Sequence, residues 1–353
     1  MKKKYKYKII IAIRDSASSD VLYQGTSQYP GGRSRFDNVL IKGDSLSLEC
    51  DRVTLVDLEG IFENYQSGLY GQISKSILFY ISTMGTIPNI EKISIAVERG
   101  GIVVKNKVIN SDEFKGHPKL LSPLRTSFDA GSLKTIFDES DKSSAILKSI
   151  SHLIRSKTKQ DPFDRFDSLW KSFNGLYKTI TQKSKDFDCH LELRKFIISN
   201  PSASKNIAHL TSKMTALDLR NQLRWRALIL NDFDTIKKTK AFYEFVTRYT
   251  DARLMKVFEE TLPYRKDFLK SENRLSDVEK HINTHLNAGV KNEQEVVAIL
   301  CIKYMYFVRN KSAHGERMDR IIGLGNKEVK EINWLGDLLE ILIIDLVNAS
   351  RLY

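Results

Sequence analysis

Residues 161–180 read DPFDRFDSLWKSFNGLYKTI, and the fold of the second half of the chain turns on them. Phe163, Phe166, Leu169, Trp170, Phe173, Leu176 and Tyr177 recur at steps of three and four. On a helix that spacing makes one continuous apolar stripe. Asp161 stands where a cap accepts hydrogen bonds from the first turn, and Pro162 where a missing N–H costs nothing. The pattern predicts an amphipathic helix buried along one face.

Outward from this helix the chain changes character. Downstream, strand signals almost vanish. Helices are expected near 188–199, 215–230, 236–260, 275–287, 293–310 and 334–351, and 143–154 reads as another just upstream. VVAILCIKYMYFV (296–308) and LLEILIIDLV (338–347) are apolar nearly all round. Such helices are buried on every side, in the middle of a bundle or against a second copy of the chain.

Before residue 140 the signals alternate. YKYKIIIAI (5–13), VLIKG (39–43) and LSLECDRVTLVDL (46–58) read as strands, and 67–84 as a helix. KISIAVE and GIVVKNKVI flank Gly100-Gly101 as a hairpin does. The polar stretch DSASSDVLYQGTSQYPGGRSRFDN between the first two strands reads as a loop. The expected fold class is a mixed α+β domain with several strands over 1–138, followed by an all-α bundle over 139–353.

The 353 residues carry a formal net charge of +13. Residues 1–140 hold 19 Lys and Arg against 16 Asp and Glu, which leaves 37 against 27, an excess of ten, for residues 141–353. A basic surface attracts polyanions by neutralising phosphates and releasing counterions, which favours nucleic acid as the partner. Cys50, Cys189 and Cys301 are far apart and form no CxxC pair, as expected of buried free thiols in a reducing compartment. The apolar run after the basic MKKKYK is too short and alternating for a signal peptide, and charges interrupt the most apolar tail. The expectation is a cytoplasmic protein with no membrane segment.

At the foot of the apolar run 296–308 stands RNKSAHG (309–315). As residues alone it has two readings. Gly315 suits the end of a helix, and Lys311 and His314 suit its negative pole. Equally, Asn310 and His314 are four apart and share a face, with Arg309 beside them. A permanent cation, an amide and an imidazole can cleave RNA without a metal, because the ribose 2′-OH supplies the nucleophile.

Together the two stretches resemble HEPN ribonuclease domains. Arg309, four residues and His314 are similar to that family's Arg–His hallmark. Leu169-Trp170, Phe173-Asn174 and Leu176-Tyr177 resemble the first helix of its Apea-like branch. The resemblance covers about residues 140–353, though 180–290 adds no match of its own. It implies a metal-independent endoribonuclease with no cofactor, which leaves 2′,3′-cyclic phosphate and 5′-hydroxyl ends. It also implies a homodimer with a composite active site, acting on RNA in anti-phage defence, abortive infection or as a toxin. Residues 1–138 would then be a sensor or regulator of a phage-derived or protein trigger. Arg309 would stabilise the pentacovalent phosphate, His314 would be general acid or base, and Asn310 would orient the substrate or its partner His. Lys311 would either bind phosphate or be a solvated lysine, the reading its position favours; Asn174 would contact substrate or hold structure, the two being nearly equal. The alternative is a catalytically silent HEPN module that binds nucleic acid or protein.

Three other stretches hold candidate binding groups. YPGGRSRF (29–36) is either a flexible loop or an RNA-binding one, with Arg33 and Arg35 on phosphates and Tyr29 or Phe36 stacking on bases; it lacks the Gly-Lys-Ser/Thr ending of a P-loop. Arg220, Arg224 and Trp225 form a basic face, either solvated or facing RNA. His281 and His285 are four apart, but no general-base Glu lies between them and no third ligand is near, so no metal is expected.

Overall fold

The computed structural model describes residues 4–16, 18–29, 32, 34–62, 64, 67–114, 119–313 and 327–353. It falls into two compact units: residues 1–160 with 171–179, and residues 161–170 with 180–353. An α+β region with a six-stranded sheet is followed by a helical one. The division falls later than the composition change at 138–139. The helix Asp141–Ser156 packs in the first unit, against the helix Gly68–Met84.

In the first unit the strands are β1 (Tyr5–Ile13), β2 (Val21–Gln28), β3 (Phe36–Lys42), β4 (Ser45–Arg52), β5 (Ile90–Arg99) and β6 (Ile102–Asn110). They lie in the order β2-β3-β4-β1-β5-β6, every pair antiparallel. The period of two decides the faces. Tyr7, Ile9, Ile11 and Ile13 of β1 are buried with Leu46, Leu48, Ile93, Ile95 and Val97, while Ile10 points out. Gly100 and Gly101 both take positive φ, 63° and 86°, which the two-residue turn between β5 and β6 requires.

Two sequence expectations change here. The stretch read as one polar loop contains β2. It is an edge strand with one buried residue, Ser27, so it lacks the apolar alternation that marks strands inside a sheet. β4 stops at Arg52, short of the expected 58. Edge and core are joined by buried polar groups: Ser27 donates to Gln72 (2.5 Å), Gln72 to Asp37 (3.0 Å), and Arg52 forks onto Asp37 at 2.7 and 2.8 Å.

In the second unit most expected helices form, with three differences. The span 215–230 breaks at Leu223-Arg224 into Ala216–Gln222 and Trp225–Asp232. The span 236–260 breaks before Asp251, whose carboxylate caps Ala252–Thr261. Two short helices, Lys205–Ser212 and Lys266–Ser271, were not expected. The apolar helices occupy the middle of the bundle: Val297, Ile299, Leu300, Met305, Leu339 and Ile343 are fully buried within one chain. Cys50, Cys189 and Cys301 are buried free thiols, and burial pushes the Cys50 thiol up to about 12. Among the described residues no helix is long and apolar enough to cross a membrane.

Candidate functional site

The motif helix is one rod with a defect in it. Glu293–Ala298 is α-helical and capped by Asn292, Ile299–Tyr304 is π-helical, and Met305–Ala313 is α-helical again. A π-turn fits an extra residue into the rod and rotates everything after it, so apolar periodicity does not carry straight through. Beyond it Tyr306 and Asn310, four apart, share a face. Arg309 is half-buried, and its Nη1 donates to Oδ1 of Asn310 at 3.1 Å. Lys311 lines a small recess with Phe163, Arg224, Val308, Glu328 and Glu331. His314 lies outside the described residues.

The other motif meets this helix. Asp161 accepts from the N–H groups of Phe163 (2.8 Å) and Asp164 (3.2 Å), so the expected cap is present. Arg165 then binds Asp337 (2.7 Å) and Glu340 (2.9 Å) on the helix Lys327–Asn348. Trp170 is buried with its ring 6.1 Å from Tyr306, three residues before Arg309, and 6.5 Å from His190. Residues 161–170 therefore pack directly behind the helix that carries Arg309 and Asn310.

The remaining sequence candidates lie in the first unit. Asn174 is half-buried, and its Oδ1 is buried with no hydrogen-bond partner. Arg35 is exposed and its carbonyl closes the 29–35 turn by accepting from Tyr29 N–H at 2.8 Å. The Arg52 guanidinium lies over one face of the Tyr29 ring at 4.4 Å. Arg33 lies outside the described residues.

Several pairings beside the motif carry no sequence signature. Tyr304 donates to the buried Glu331, and Arg224 binds Glu331 (2.7 Å) and Glu328 (3.2 Å). Burial and the Glu331 carboxylate raise the Tyr304 phenol well above its ordinary range. Arg220 pairs with Glu260 at 3.1 Å, and the buried Trp225 donates to the Leu219 carbonyl at 3.0 Å. The basic face at 220–225 is thus neutralised by carboxylates and does not present free cations to RNA. His281 Nε2 bonds the Tyr249 carbonyl at 2.8 Å, and among the described residues no group of three or more His, Cys, Asp or Glu is placed to hold a metal.

His190 adds a titrating group beneath the motif helix, edge-on to Tyr306 at 4.6 Å. Burial lowers its pKa to about 4; Asp186 opposes the shift and Lys303 adds to it. The folded value lies below the unfolded one of about 6.5, so acid is taken up first by the unfolded chain. The stabilisation is complete above about pH 6.5 and is lost as the pH falls towards 4. Urea titrations at pH 7 and 4.5 should differ by about 2–3 kcal/mol more in wild type than in His190→Gln. Equal losses in both would remove His190 as the cause.

Comparison of the chain with protein-family models, with curated proteins and with solved structures returns no match.

Proposed function

We propose that the helical unit is a metal-independent endoribonuclease of HEPN type, working on RNA as a homodimer in anti-phage defence or as a toxin. The observation that carries the reading is the contact of Trp170 with Tyr306. Two stretches 130 residues apart that each resemble the family pack together, and Arg309 and Asn310 follow on the same helix. The basic excess of residues 141–353 supports RNA as substrate.

In this reading a base, His314 of one protomer or the other, removes the proton of the ribose 2′-OH. The oxygen attacks the adjacent phosphorus, and the Arg309 guanidinium neutralises charge on the equatorial oxygens of the phosphorane. The bond to the 5′-oxygen breaks as an acid protonates it. The products are a 2′,3′-cyclic phosphate and a 5′-hydroxyl, with no water consumed. Asn310, held by Arg309, orients the phosphate.

The test is incubation of pure protein with end-labelled tRNA in excess EDTA, followed by analysis of the ends. Cyclic phosphate and 5′-hydroxyl termini are expected. Fragments with 3′-hydroxyl and 5′-phosphate ends would overturn the mechanism. Uncut RNA would favour the silent binding module.

A further inference from the structure

The second unit encloses a cavity of about 460 Å³ that the ribonuclease reading does not use. Its walls come from the helix Asp186–Ser199, the segment 232–249 and the π-turn of the motif helix. That volume lies within the usual range of small-molecule sites, roughly 300–1,000 Å³. The lining combines two chemistries.

The first is aromatic. Phe233, Phe245, Tyr249 and Tyr306 line the cavity, and Phe187 stands at it with 73% of its surface exposed. An exposed aromatic ring at the rim of a cavity offers a face on which a flat ring can stack. The second is cationic. Arg194, Lys238, Arg248 and Lys303 face two carboxylates, Asp232 and Glu244. Lys303 is neutralised by Asp232 at 2.5 Å, and Lys238 by Asp234 at 2.8 Å.

The two arginines are not neutralised. Arg194 donates to the Arg248 carbonyl (3.1 Å), lies over the Tyr249 ring at 5.2 Å and also hydrogen-bonds the Tyr249 side chain. Its Nε–H is buried with no acceptor. Neither Arg194 nor Arg248 has a carboxylate partner among the described residues. A guanidinium with spare donors beside aromatic rings suits a phosphate attached to a flat heterocycle. His190, which burial keeps neutral at physiological pH, also lines the cavity.

We infer that this cavity binds a nucleoside monophosphate unit, either free or as one nucleotide of an RNA strand, with its base against Phe187 and Tyr306 and its phosphate on Arg194 and Arg248. A planar ring without charge would leave the arginines unpaired; an anion without a ring would leave the aromatic wall wet. The inference does not rest on the ribonuclease reading, because its readout is binding.

Isothermal titration of the full chain with AMP, GMP, CMP and UMP, and with the matching nucleosides, tests it. At least one monophosphate is expected to bind about tenfold or more tightly than its nucleoside. Arg248→Ala should remove that difference, and Phe187→Ala should weaken nucleotide and nucleoside alike. Both side chains are partly exposed, and matching thermal melts would show the variants folded. Competition by a single-stranded RNA hexamer would identify an RNA nucleotide as the occupant; binding without competition would identify a free nucleotide. No binding of any monophosphate, equal binding of nucleosides, or wild-type affinity in both variants would overturn the inference.

Discussion

Replacing Asp251 by alanine is expected to cost about 3–5 kcal/mol, because it strands a buried cation. The Asp251 carboxylate is inaccessible and accepts from the N–H groups of Arg253 (2.8 Å), Leu254 (3.3 Å) and Asn292 (2.6 Å). It also takes the Arg253 guanidinium at 2.7 Å. Glu295 completes the knot, accepting from the N–H groups of Thr250 (2.7 Å) and Asp251 (2.9 Å). Without Asp251, Arg253 keeps the Thr211 carbonyl at 2.7 Å and a loose contact to Glu293 at 3.8 Å. Urea denaturation should show the loss. The double variant Asp251→Ala/Arg253→Met should recover part of it, since no buried charge is then left unpaired. A double variant less stable than the single one by the full cost of losing Arg253 would mean the carboxylate works as a helix cap and not as the counter-ion.

Trp170→Ala is expected to cost about 3–5 kcal/mol as well, here through an unfilled cavity. The indole is 3% exposed and packs against Phe166, His190 and Tyr306. Trp170→Phe keeps an apolar ring in the site and should cost less. Because the indole sits behind the helix bearing Arg309, the proposed ribonuclease reading expects the alanine variant to lose RNA cleavage as well, at temperatures where it is still folded. Cleavage at the wild-type rate by a folded Trp170→Ala protein would separate the two motifs functionally.

The sequence made parts of this structure legible for identifiable reasons. The helix at 162–181 announced itself because its stripe, its Asp161 cap and Pro162 agree. The β5–β6 hairpin did so because only glycine adopts two successive positive φ angles cheaply. β2 stayed hidden because an edge strand needs few apolar residues. The breaks at Leu223 and Asp251 stayed hidden because tertiary hydrogen bonds, not glycine or proline, end those helices.

At the candidate site, Arg309 and Asn310 had two readings from the residues alone and were singled out by the resemblance; their mutual hydrogen bond is seen only in the structure. The supporting pairings could not be read from the sequence. Glu328 and Glu331 lie 104 and 107 residues beyond the Arg224 that binds them, and His190 reaches Tyr306 only through the packing of separate helices. The π-turn that sets the direction of the motif helix has no composition of its own. Arg220 and Arg224 left two readings open for a related reason: the carboxylates that pair with a basic run are brought in only by the fold.

The most direct test of the central claim is single-turnover cleavage of labelled RNA in EDTA by Arg309→Ala beside wild type. The account predicts a fall of about 10²-fold or more, with an unchanged thermal melt, since one group that neutralises the phosphorane is gone. Cleavage of RNA by Arg309→Ala at the wild-type rate would contradict it.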